Sequence, residues 1–459
     1  MDIGRPGPGS IMDADDDLSL GPLGLILTPG PVNVDNLTQT AGSTFMGQFM
    51  DHDMTFDTAS RLGVPTQPHK SPNARTPRFD LDSVYAGGPT VNPHLYEPAD
   101  PARLIVGSNV GPTFAVEDLH RNATTLQAII PDPRNDENLV IAGLHAAFQM
   151  FHNRAVDEVR ATTPGLTDAD TFERAREQTI WHYQWMILHE FLPLFVGQDV
   201  VDDIRTNGRD SYTPSGEASI PVEFQGAAYR FGHSMVRPSY RANFGRAGSH
   251  PETFLFIFDP RAPVPADPAD PEDMRGGARA TRRFIDWQTF FRFPGFEAIT
   301  RPNKKIDTKI SSALFRLPRA AIPAPGGPDS LPQRNLLRHV TWRMPSGQRI
   351  AERMGIPPLS AADLSDLAGY SLGLETSTPL WFYVLREAQI RAAGDRLHGV
   401  GARIVGEVII GLIETDSDSF LNAAPVGWVP TLGGAGASFR MADFLTFAGV
   451  DPVSRGFSR

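Results

Sequence analysis

The most constraining feature of this sequence is the segment Gly47–Thr55, which reads GQFMDHDMT and places an amide, a histidine and two carboxylates in an apolar stretch. If the segment is helical, Gln48 and His52 lie four residues apart and share a face. Asp51 and Asp53 then project to either side of His52, because each residue turns the helix by about 100°. One short helix would therefore present a base, an amide and two anions to a single pocket.

Helical periodicity recurs further along the chain. Apolar residues return every three or four positions in 137–160 and 168–196, which is the spacing of an amphipathic helix. Two more helices are predicted at 379–393 and 400–412, separated by glycines. Alternating strand patterns are few. The sequence therefore predicts a mainly α fold, a single large helical domain with few short strands.

The division of the chain follows from its glycines and prolines. Residues 1–40 are rich in glycine, proline and aspartate, and are predicted to form an extended N-terminal arm. Residues 41–459 are assigned to the folded domain. Within that domain, 259–278 and 318–330 are rich in proline, which cannot continue a helix, so both segments are predicted to be surface loops.

Composition narrows the classes of function. A net charge of -11, with 53 acidic against 42 basic residues, disfavours a nucleic-acid or anionic-membrane surface. The absence of cysteine excludes disulfides and thiolate metal sites. The sequence contains no run of about 18 apolar residues, so no transmembrane helix is predicted. The N-terminus lacks a signal-peptide pattern. We therefore expect a cytoplasmic protein, with leaderless export as the alternative, and the oligomeric state stays open.

The order of the polar motifs resembles one known family. The segment GQFMDHDMT resembles the distal helix of the animal-type haem peroxidases, in the peroxidase-cyclooxygenase superfamily. Further motifs follow in the family's order, namely TPRFDLDS at 76–83, DPRNDE at 132–137, YRFGHS at 229–234 and MPSGQ at 344–348. Colinear order is harder to obtain by chance than any single motif. The chain is identified as a bacterial-type member, with 41–459 as its haem peroxidase domain.

The resemblance implies roles for the distal residues. Peroxide cleavage needs a base that moves a proton between the two oxygens and a cation that stabilises charge on the departing oxygen. His52 and Arg134 match the residues that fill these roles in the family. Gln48 matches the residue that holds distal water. Asp51 and Glu137 match the two carboxylates that form ester bonds to haem b.

The resemblance also implies the proximal residues. His233 matches the proximal ligand of the haem iron, and the family's hydrogen-bond partner of that imidazole aligns with Gln348. Arg230 matches the arginine that pairs with a haem propionate in the peroxidases. Fatty-acid oxygenases of the superfamily carry a radical-forming tyrosine at that position. Tyr229 is adjacent, but on a helix it would point about 100° away.

A second cofactor, Ca²⁺, is implied by the TPRFDLDS loop. Calcium prefers six to eight oxygen ligands. The residues that match the family's calcium ligands are Thr76, Arg78 through its carbonyl, Asp80, Asp82 and Asp53. Because Asp53 follows His52 directly, the ion would hold the distal helix in place.

Two further histidine pairs share helix faces. His145 and His152 are seven residues apart, as are His182 and His189. Such a spacing can hold a metal ion, but both pairs lie in segments with strong apolar periodicity. We expect these histidines to be structural.

The resemblance implies an enzyme with hydrogen peroxide and a small electron donor as its partners. We expect a haem peroxidase that reduces peroxide through a ferryl intermediate and oxidises small anions, such as halide or thiocyanate, or phenolic donors. One alternative is a haem-dependent fatty-acid oxygenase, which would consume oxygen with its substrate. The other is a non-catalytic haem-binding protein, against which the intact His52, Arg134 and His233 argue.

Overall fold

The computed structural model describes residues 13–15, 34–57, 60–110, 115–214, 218–245, 252–258, 271–318, 327–454 and 456. Within them the protein is mainly α with few short strands, which confirms the predicted fold class. The α-helices are α1 (Ala41–Met54), α2 (Asp82–Tyr85), α3 (Leu139–Thr162), α4 (Asp168–Met186), α5 (Leu192–Val196), α6 (Gln198–Asn207), α7 (Val222–Gly226), α8 (Leu331–Trp342), α9 (Gly347–Arg353), α10 (Leu380–Arg391), α11 (Gly399–Thr415) and α12 (Met441–Ala448).

The strands form small two-stranded sheets. They are β1 (Asp13–Asp15), β2 (Asp35–Thr40), β3 (Tyr96–Glu97), β4 (Asp100–Leu104), β5 (Gly107–Val110), β6 (Ala115–Asp118), β7 (Ser239–Asn243), β8 (Thr253–Phe256), β9 (Pro302–Lys304) and β10 (Lys309–Ser311). β1 pairs with β10 in parallel, whereas β2–β9, β3–β4, β5–β6 and β7–β8 are antiparallel.

The predicted arm lies mostly outside the described residues. Of 1–40, the structure describes only 13–15 and 34–40, and β2 pairs there with β9 of the domain. The boundary at residue 41 therefore stays a prediction. Of the two predicted loops, 259–270 and 319–326 also lie outside the described residues. No described helix has both the length and the apolarity that crossing a bilayer requires.

Helix α1 runs through the interior of the domain and is buried on almost every side, although it carries Gln48, Asp51, His52 and Asp53. Its Phe49 ring stacks on Phe148 of α3 with centroids 4.7 Å apart, and Phe148 in turn packs on Phe444 of α12 at 4.5 Å. Such aromatic pairs each contribute about 0.5–1.5 kcal/mol beyond area burial. The polar groups of α1 are therefore held inside a rigid aromatic frame.

Tertiary contacts replace a side-chain cap at the start of α1. The Ala41 N–H donates to Arg301 O at 2.8 Å and the Gly42 N–H to Phe290 O at 2.9 Å, which satisfies donors that a helix start leaves unpaired. Gly42 is required by this approach, because a Cβ there would lie 2.5 Å from the Phe291 ring. The helix start is thus determined by distant segments.

Helix α3 begins directly after the DPRNDE motif. The Asn138 side chain accepts from Val140 N at 3.1 Å and Ile141 N at 2.9 Å, the arrangement of a helix N-cap. The motif itself forms a 3₁₀ turn, Pro133–Asp136, in which Asp132 Oδ1 accepts from Arg134 N at 3.0 Å. The turn and α3 together place polar residues against α1.

The remaining predicted helices are confirmed. The segment 168–196 is continuous but contains a π-helical turn, Ile187–Phe191, between α4 and α5. Pro193 explains the changed pitch, because it lacks the N–H that a regular helix would use there. The predictions at 379–393 and 400–412 correspond to α10 and α11.

Candidate functional site

The distal side of the site is built from α1 and the DPRNDE turn. His52 is 3% exposed, and its Nδ1 lies 2.9 Å from Asn135 Oδ1. Its Nε2 lies 3.6 Å from Glu137 Oε1. Gln48, one turn earlier on α1, donates its amide N–H to the same Glu137 oxygen. The structure therefore brings Gln48, His52 and Glu137 together around one point.

Arg134 approaches the end of α1 from the same turn. Its Nη2 donates to His52 O at 3.0 Å and Thr55 O at 2.7 Å, carbonyls that the helix end leaves unpaired. Asp132 holds the guanidinium from the other side, with Nε 3.0 Å from Oδ1. The cation is thus fixed beside His52 by backbone and carboxylate oxygens.

Asp51 lies next to His52 on α1. Its Oδ1 accepts from Thr55 Oγ1 at 2.9 Å, and the same hydroxyl contacts Asp51 O at 3.1 Å. The carboxylate is half-buried, and its charge raises the pKa of both His52 and Glu137. Asp51 therefore belongs to the same electrostatic cluster.

Burial sets the charge of the distal groups. Burial, followed by the Arg134 charge, lowers the pKa of His52 to about 4, so the imidazole is neutral at pH 7. Burial raises the pKa of Glu137 to about 7, although 42% of its side-chain surface is accessible. The raised pKa and the accessible surface of Glu137 are compatible if that surface faces an opening inside the protein instead of bulk water.

The proximal side is a 3₁₀ segment, Ala228–Ser234, that carries His233. The Tyr229 hydroxyl donates to Gly47 O of α1 at 3.0 Å, so this segment lies against the distal helix. Burial lowers the pKa of His233 to about 3, and its ring is nonetheless partly accessible. The side chains of Gln48, Glu137, Arg230 and His233 are each at least partly exposed, and we call this group of residues the cleft.

The structure contradicts the predicted partner of His233. Nδ1 of His233 lies 2.8 Å from Asn335 Nδ2 on α8. Gln348 instead donates to Thr378 Oγ1 at 2.8 Å and accepts from Thr378 N at 3.0 Å. The partner of His233 is therefore Asn335 on α8 and not Gln348, which lies on α9. Among the described residues, His233 Nε2 has no hydrogen-bond partner.

Arg230 lies near the proximal histidine, and two further arginines that were not predicted from sequence, Arg334 and Arg338, lie near Arg230. Burial and the Arg230 charge lower the pKa of Arg338 to about 9, and the same causes lower the pKa of Arg334. Burial also lowers the pKa of Arg230. The nearest carboxylate oxygen to Arg338 is Asp57 Oδ2 at 3.7 Å. This side of the cleft therefore carries an excess of buried positive charge, which favours an anionic ligand.

The missed residues had a weak signal in the sequence. Arg334, Asn335 and Arg338 occur together in QRNLLR, where Arg334 and Arg338 are four residues apart and share a helix face. The motif lies far from YRFGHS in the chain, and no local rule pairs the two.

The predicted calcium ligands are only partly brought together. Asp53 is fully buried and accepts from Leu81 N at 3.1 Å and Ser83 Oγ at 3.2 Å. Burial and the nearby Asp80 charge raise the pKa of Asp53. Thr76 Oγ1 lies 2.9 Å from Asp80. In the described part of the chain, no three histidine, aspartate or glutamate side chains meet closely enough to hold a metal ion.

Two members of the predicted calcium set have other partners. The Asp82 carboxylate pairs with Arg75 Nη1 at 3.0 Å, and the Arg78 side chain pairs with Asp416 at 3.2 Å. The predicted ligand of Arg78 is its carbonyl, which this side-chain pair leaves unaffected, and the assignment of Asp82 stays a prediction. Asp53, Asp80 and Thr76 remain the group whose oxygens and like charges suit a cation.

Of the other histidines, His152 and His182 have structural contacts. Nδ1 of His152 lies 3.0 Å from Tyr85 Oη and its Nε2 lies 2.8 Å from Ala102 O. Nε2 of His182 accepts from Thr431 N at 3.1 Å and Leu432 N at 3.0 Å. His152 thus links α3 to α2 and β4, and His182 links α4 to the loop at 431–432.

Comparison with known proteins finds similarity over part of the chain. The animal haem peroxidase family matches residues 58–260, which include Arg134 and His233 but not His52. Dual oxidase of Drosophila melanogaster is 31% identical over 110 residues, 24% of this chain and 7% of that protein. Heme peroxidase 2 of Caenorhabditis elegans is 29% identical over 127 residues, 26% of this chain and 18% of that protein. The matched segments thus span a small part of these relatives.

Two solved structures share the fold over nearly the whole chain. Peroxidase A of Dictyostelium discoideum superposes with a TM-score of 0.62 at 16% identity, covering 98% of this chain and 95% of that one. Fatty acid alpha-dioxygenase of Oryza sativa superposes with a TM-score of 0.57 at 13% identity, covering 97% and 76%. The fold is that of the helical haem peroxidases. Over residues 58–260 this chain is thus similar to the animal haem peroxidase family, and its fold is shared with both solved structures.

Proposed function

We propose that the protein is a haem peroxidase that reduces hydrogen peroxide and oxidises small anions or phenolic donors. One observation carries the proposal: two buried, neutral imidazoles, His52 and His233, lie on adjacent segments joined by the Tyr229–Gly47 hydrogen bond. Each imidazole has its Nδ1 against a buried asparagine amide, which leaves Nε2 for chemistry.

The residues of the cleft fit a haem b group. His233 Nε2 would ligate the iron, and a half-turn of the Asn335 amide would present its oxygen, which has no partner among the described residues, to Nδ1–H. The excess charge of Arg230, Arg334 and Arg338 suits the two propionates. When bound, haem supplies an iron that accepts an oxygen atom from peroxide and stores two oxidising equivalents.

The distal residues then handle the protons and the charge. His52, neutral and free at Nε2, accepts a proton from one peroxide oxygen and returns it to the other, which leaves as water. Arg134 stabilises the charge on the departing oxygen. Overall, two one-electron donors and two further protons would be needed to reduce one hydrogen peroxide to two waters. Gln48 would hold water near Nε2.

The two ester bonds are part of the proposal. Asp51 and Glu137 flank His52, and a Glu137 carboxyl with a pKa of about 7 is half-neutral at neutral pH. Links to two haem methyl groups would remove both charges from the cleft. Haem that stays fully extractable by acidic solvent after peroxide treatment would contradict these bonds.

A calcium ion is proposed at Asp53, Asp80, Thr76 and the Arg78 carbonyl. The ion would offset the like charges that raise the pKa of Asp53. A ligand present at 100 times its Kd stabilises by about 2.7 kcal/mol. Chelation should therefore lower the melting temperature of the wild type but not that of Asp53→Asn.

The test of the function is an absorption titration of the full chain with haemin, followed by one equivalent of hydrogen peroxide. We expect a histidine-ligated ferric spectrum, a change on adding peroxide, and its return on adding iodide, bromide, thiocyanate or a phenol. Absence of haem binding contradicts the cleft assignment. Haem that binds but is only bleached by peroxide contradicts the peroxidase function.

A second candidate, fatty-acid oxygenation, rests on the buried Tyr229 that contacts α1 and on the fold shared with the Oryza sativa dioxygenase. Stoichiometric oxygen uptake with palmitic acid would support it. Retention of that uptake in Tyr229→Phe would exclude Tyr229 as its radical site.

A further inference from the structure

Asn135 and His145 occupy a fully buried position behind His52. Both side chains are 0% exposed. Asn135 Oδ1 lies 2.9 Å from His52 Nδ1, and Asn135 Nδ2 lies 3.0 Å from His145 Nδ1. The three groups thus form one chain from α1, through the DPRNDE turn, to α3.

The orientation of the Asn135 amide follows from its surroundings. Its Nδ2 also faces the Ser83 carbonyl oxygen at 3.4 Å, an atom that can only accept a hydrogen bond. A turned amide would place two carbonyl oxygens against each other. The amide oxygen therefore faces His52, whose Nδ1 must carry the proton.

His145 completes the orientation. With Asn135 Nδ2 donating, His145 must accept at Nδ1 and carry its own proton on Nε2, an atom that has no partner among the described residues. Burial lowers the pKa of His145 to about 4, which keeps the ring neutral and able to accept.

The Glu137 carboxylate competes with Asn135 for the imidazole proton of His52. Glu137 Oε1 lies 3.6 Å from His52 Nε2, so a carboxylate there attracts the imidazole proton to Nε2. A proton on Nε2 removes the lone pair that a base needs. The acceptor at Nδ1 opposes this transfer.

We propose that Asn135 and His145 are positioning residues that lock His52 in the tautomer with its proton on Nδ1, so that Nε2 stays available as the base. The proposal rests on the proposed peroxidase function for its catalytic meaning. The tautomer itself does not depend on that function.

The direct test is long-range ¹⁵N–¹H NMR of the full-length, histidine-labelled protein without haem, with His52 assigned by its loss in His52→Gln. We expect the proton of His52 on Nδ1 and that of His145 on Nε2. In His145→Leu and Asn135→Leu, the proton of His52 should move toward Nε2. A wild-type His52 protonated on Nε2, or an unchanged tautomer in both variants, overturns the proposal.

Conservative variants separate the lock from simple packing. His145→Asn keeps an acceptor near the Nδ1 position and should restore the wild-type tautomer of His52. Asn135→Asp keeps the acceptor for His52 but offers no donor, so His52 stays unchanged while the proton of His145 moves to Nδ1. The opposite pattern in either variant contradicts the proposal.

The matched control is His152→Leu, two turns later on α3. His152 is equally buried but bonds Tyr85 and Ala102 instead of Asn135, so its loss should leave the tautomer of His52 unchanged. A shift of the His52 tautomer in this variant would assign the effect to packing.

Kinetics of the haem-supplemented protein form the second readout. The rate constant for peroxide should fall roughly 10- to 100-fold in His145→Leu, recover in His145→Asn and stay unchanged in His152→Leu. A rate constant unchanged in His145→Leu, with the tautomer shifted, would show that the lock does not serve the reaction. If the wild type does not react with peroxide, the proposed function fails, while the NMR result still decides the lock.

Discussion

The two sides of the cleft hold their imidazoles with opposite ends of an amide. His52 Nδ1 meets the oxygen of Asn135 at 2.9 Å, whereas His233 Nδ1 meets the nitrogen of Asn335 at 2.8 Å. The nitrogen of Asn135 has two acceptors, His145 and Ser83. The oxygen of Asn335 has no partner among the described residues.

The two amides therefore differ in whether protein groups alone fix their orientation. The distal amide is oriented by protein groups alone, so His52 is prepared as a base in advance. The proximal amide is free to turn, and an iron bound at His233 Nε2 would require it to do so, because Nδ1 must then carry the proton. Under the proposed function, the distal side would serve proton transfer and the proximal side would serve coordination.

The largest expected effect separates the two histidines. His52→Ala should lower the peroxide rate constant roughly 10²- to 10⁴-fold with haem content unchanged. His233→Gly should lower haem affinity by more than about 100-fold, with recovery in imidazole. Stopped-flow spectroscopy and haemin titration measure the two quantities. Unchanged turnover in His52→Ala at full haem content would remove its catalytic role.

The next effect concerns the corrected partner of His233. Asn335→Leu should weaken haem binding roughly 10- to 100-fold, because the ring loses its orientation, whereas Asn335→Asp should retain it. Gln348→Leu is the matched control, since Gln348 bonds Thr378 on a different helix. Haemin titration of the three variants decides the matter. A loss confined to Gln348→Leu would restore the assignment made from sequence.

Removing the charge of Arg338 should stabilise the haem-free protein but weaken haem binding. The pKa of Arg338 is lowered to about 9 in the folded protein. Between about pH 9 and the pKa of arginine in the unfolded chain, the free energy of unfolding therefore rises with pH. At pH 7 the buried charge destabilises the fold by its full amount. Arg338→Gln should stabilise the haem-free protein by about 1–3 kcal/mol and weaken haem binding. Denaturant unfolding at pH 7 tests this. Destabilisation would mean that the Asp57 contact outweighs the burial of the charge.

The smallest expected effect is on the distal carboxyl. Asp51 raises the pKa of Glu137, so Asp51→Asn should lower the titration midpoint of Glu137 by a few tenths of a pH unit. ¹³C NMR of the side-chain carboxyls measures it. Glu387, which burial alone raises to a pKa of about 7 in the core, is an internal control. Equal shifts of both midpoints would exclude a local charge effect.

Sequence reasoning succeeded best where the signal was local. The helices at 137–160, 379–393 and 400–412 were predicted from apolar spacing alone, which depends on residues within two turns. The shared face of Gln48 and His52 likewise follows from helix geometry. The π turn before Pro193 was missed because periodicity does not distinguish a wider turn from a regular one.

Partners of the site residues were predicted less well. Asn335 lies 102 residues from His233 in sequence, and Gln348 was chosen by motif order instead of by contact. Asp82, which the resemblance makes a calcium ligand, also pairs with Arg75, a contact that the sequence did not indicate. The sequence shows which carboxylate oxygens are available in the loop. The direction in which each carboxylate points depends on the charged side chains around it in the fold.

The helical class, the polar segment of α1 and the order of motifs that resembles the animal haem peroxidases all follow from the amino-acid sequence. Only the tertiary structure decided which amide supports each histidine, which arginines lie near Arg230, and that His145 stands behind Asn135. The physical reason is range. Helix periodicity and capping act over a few residues, whereas desolvation, hydrogen-bond orientation and tautomer choice depend on groups that meet only when distant segments pack.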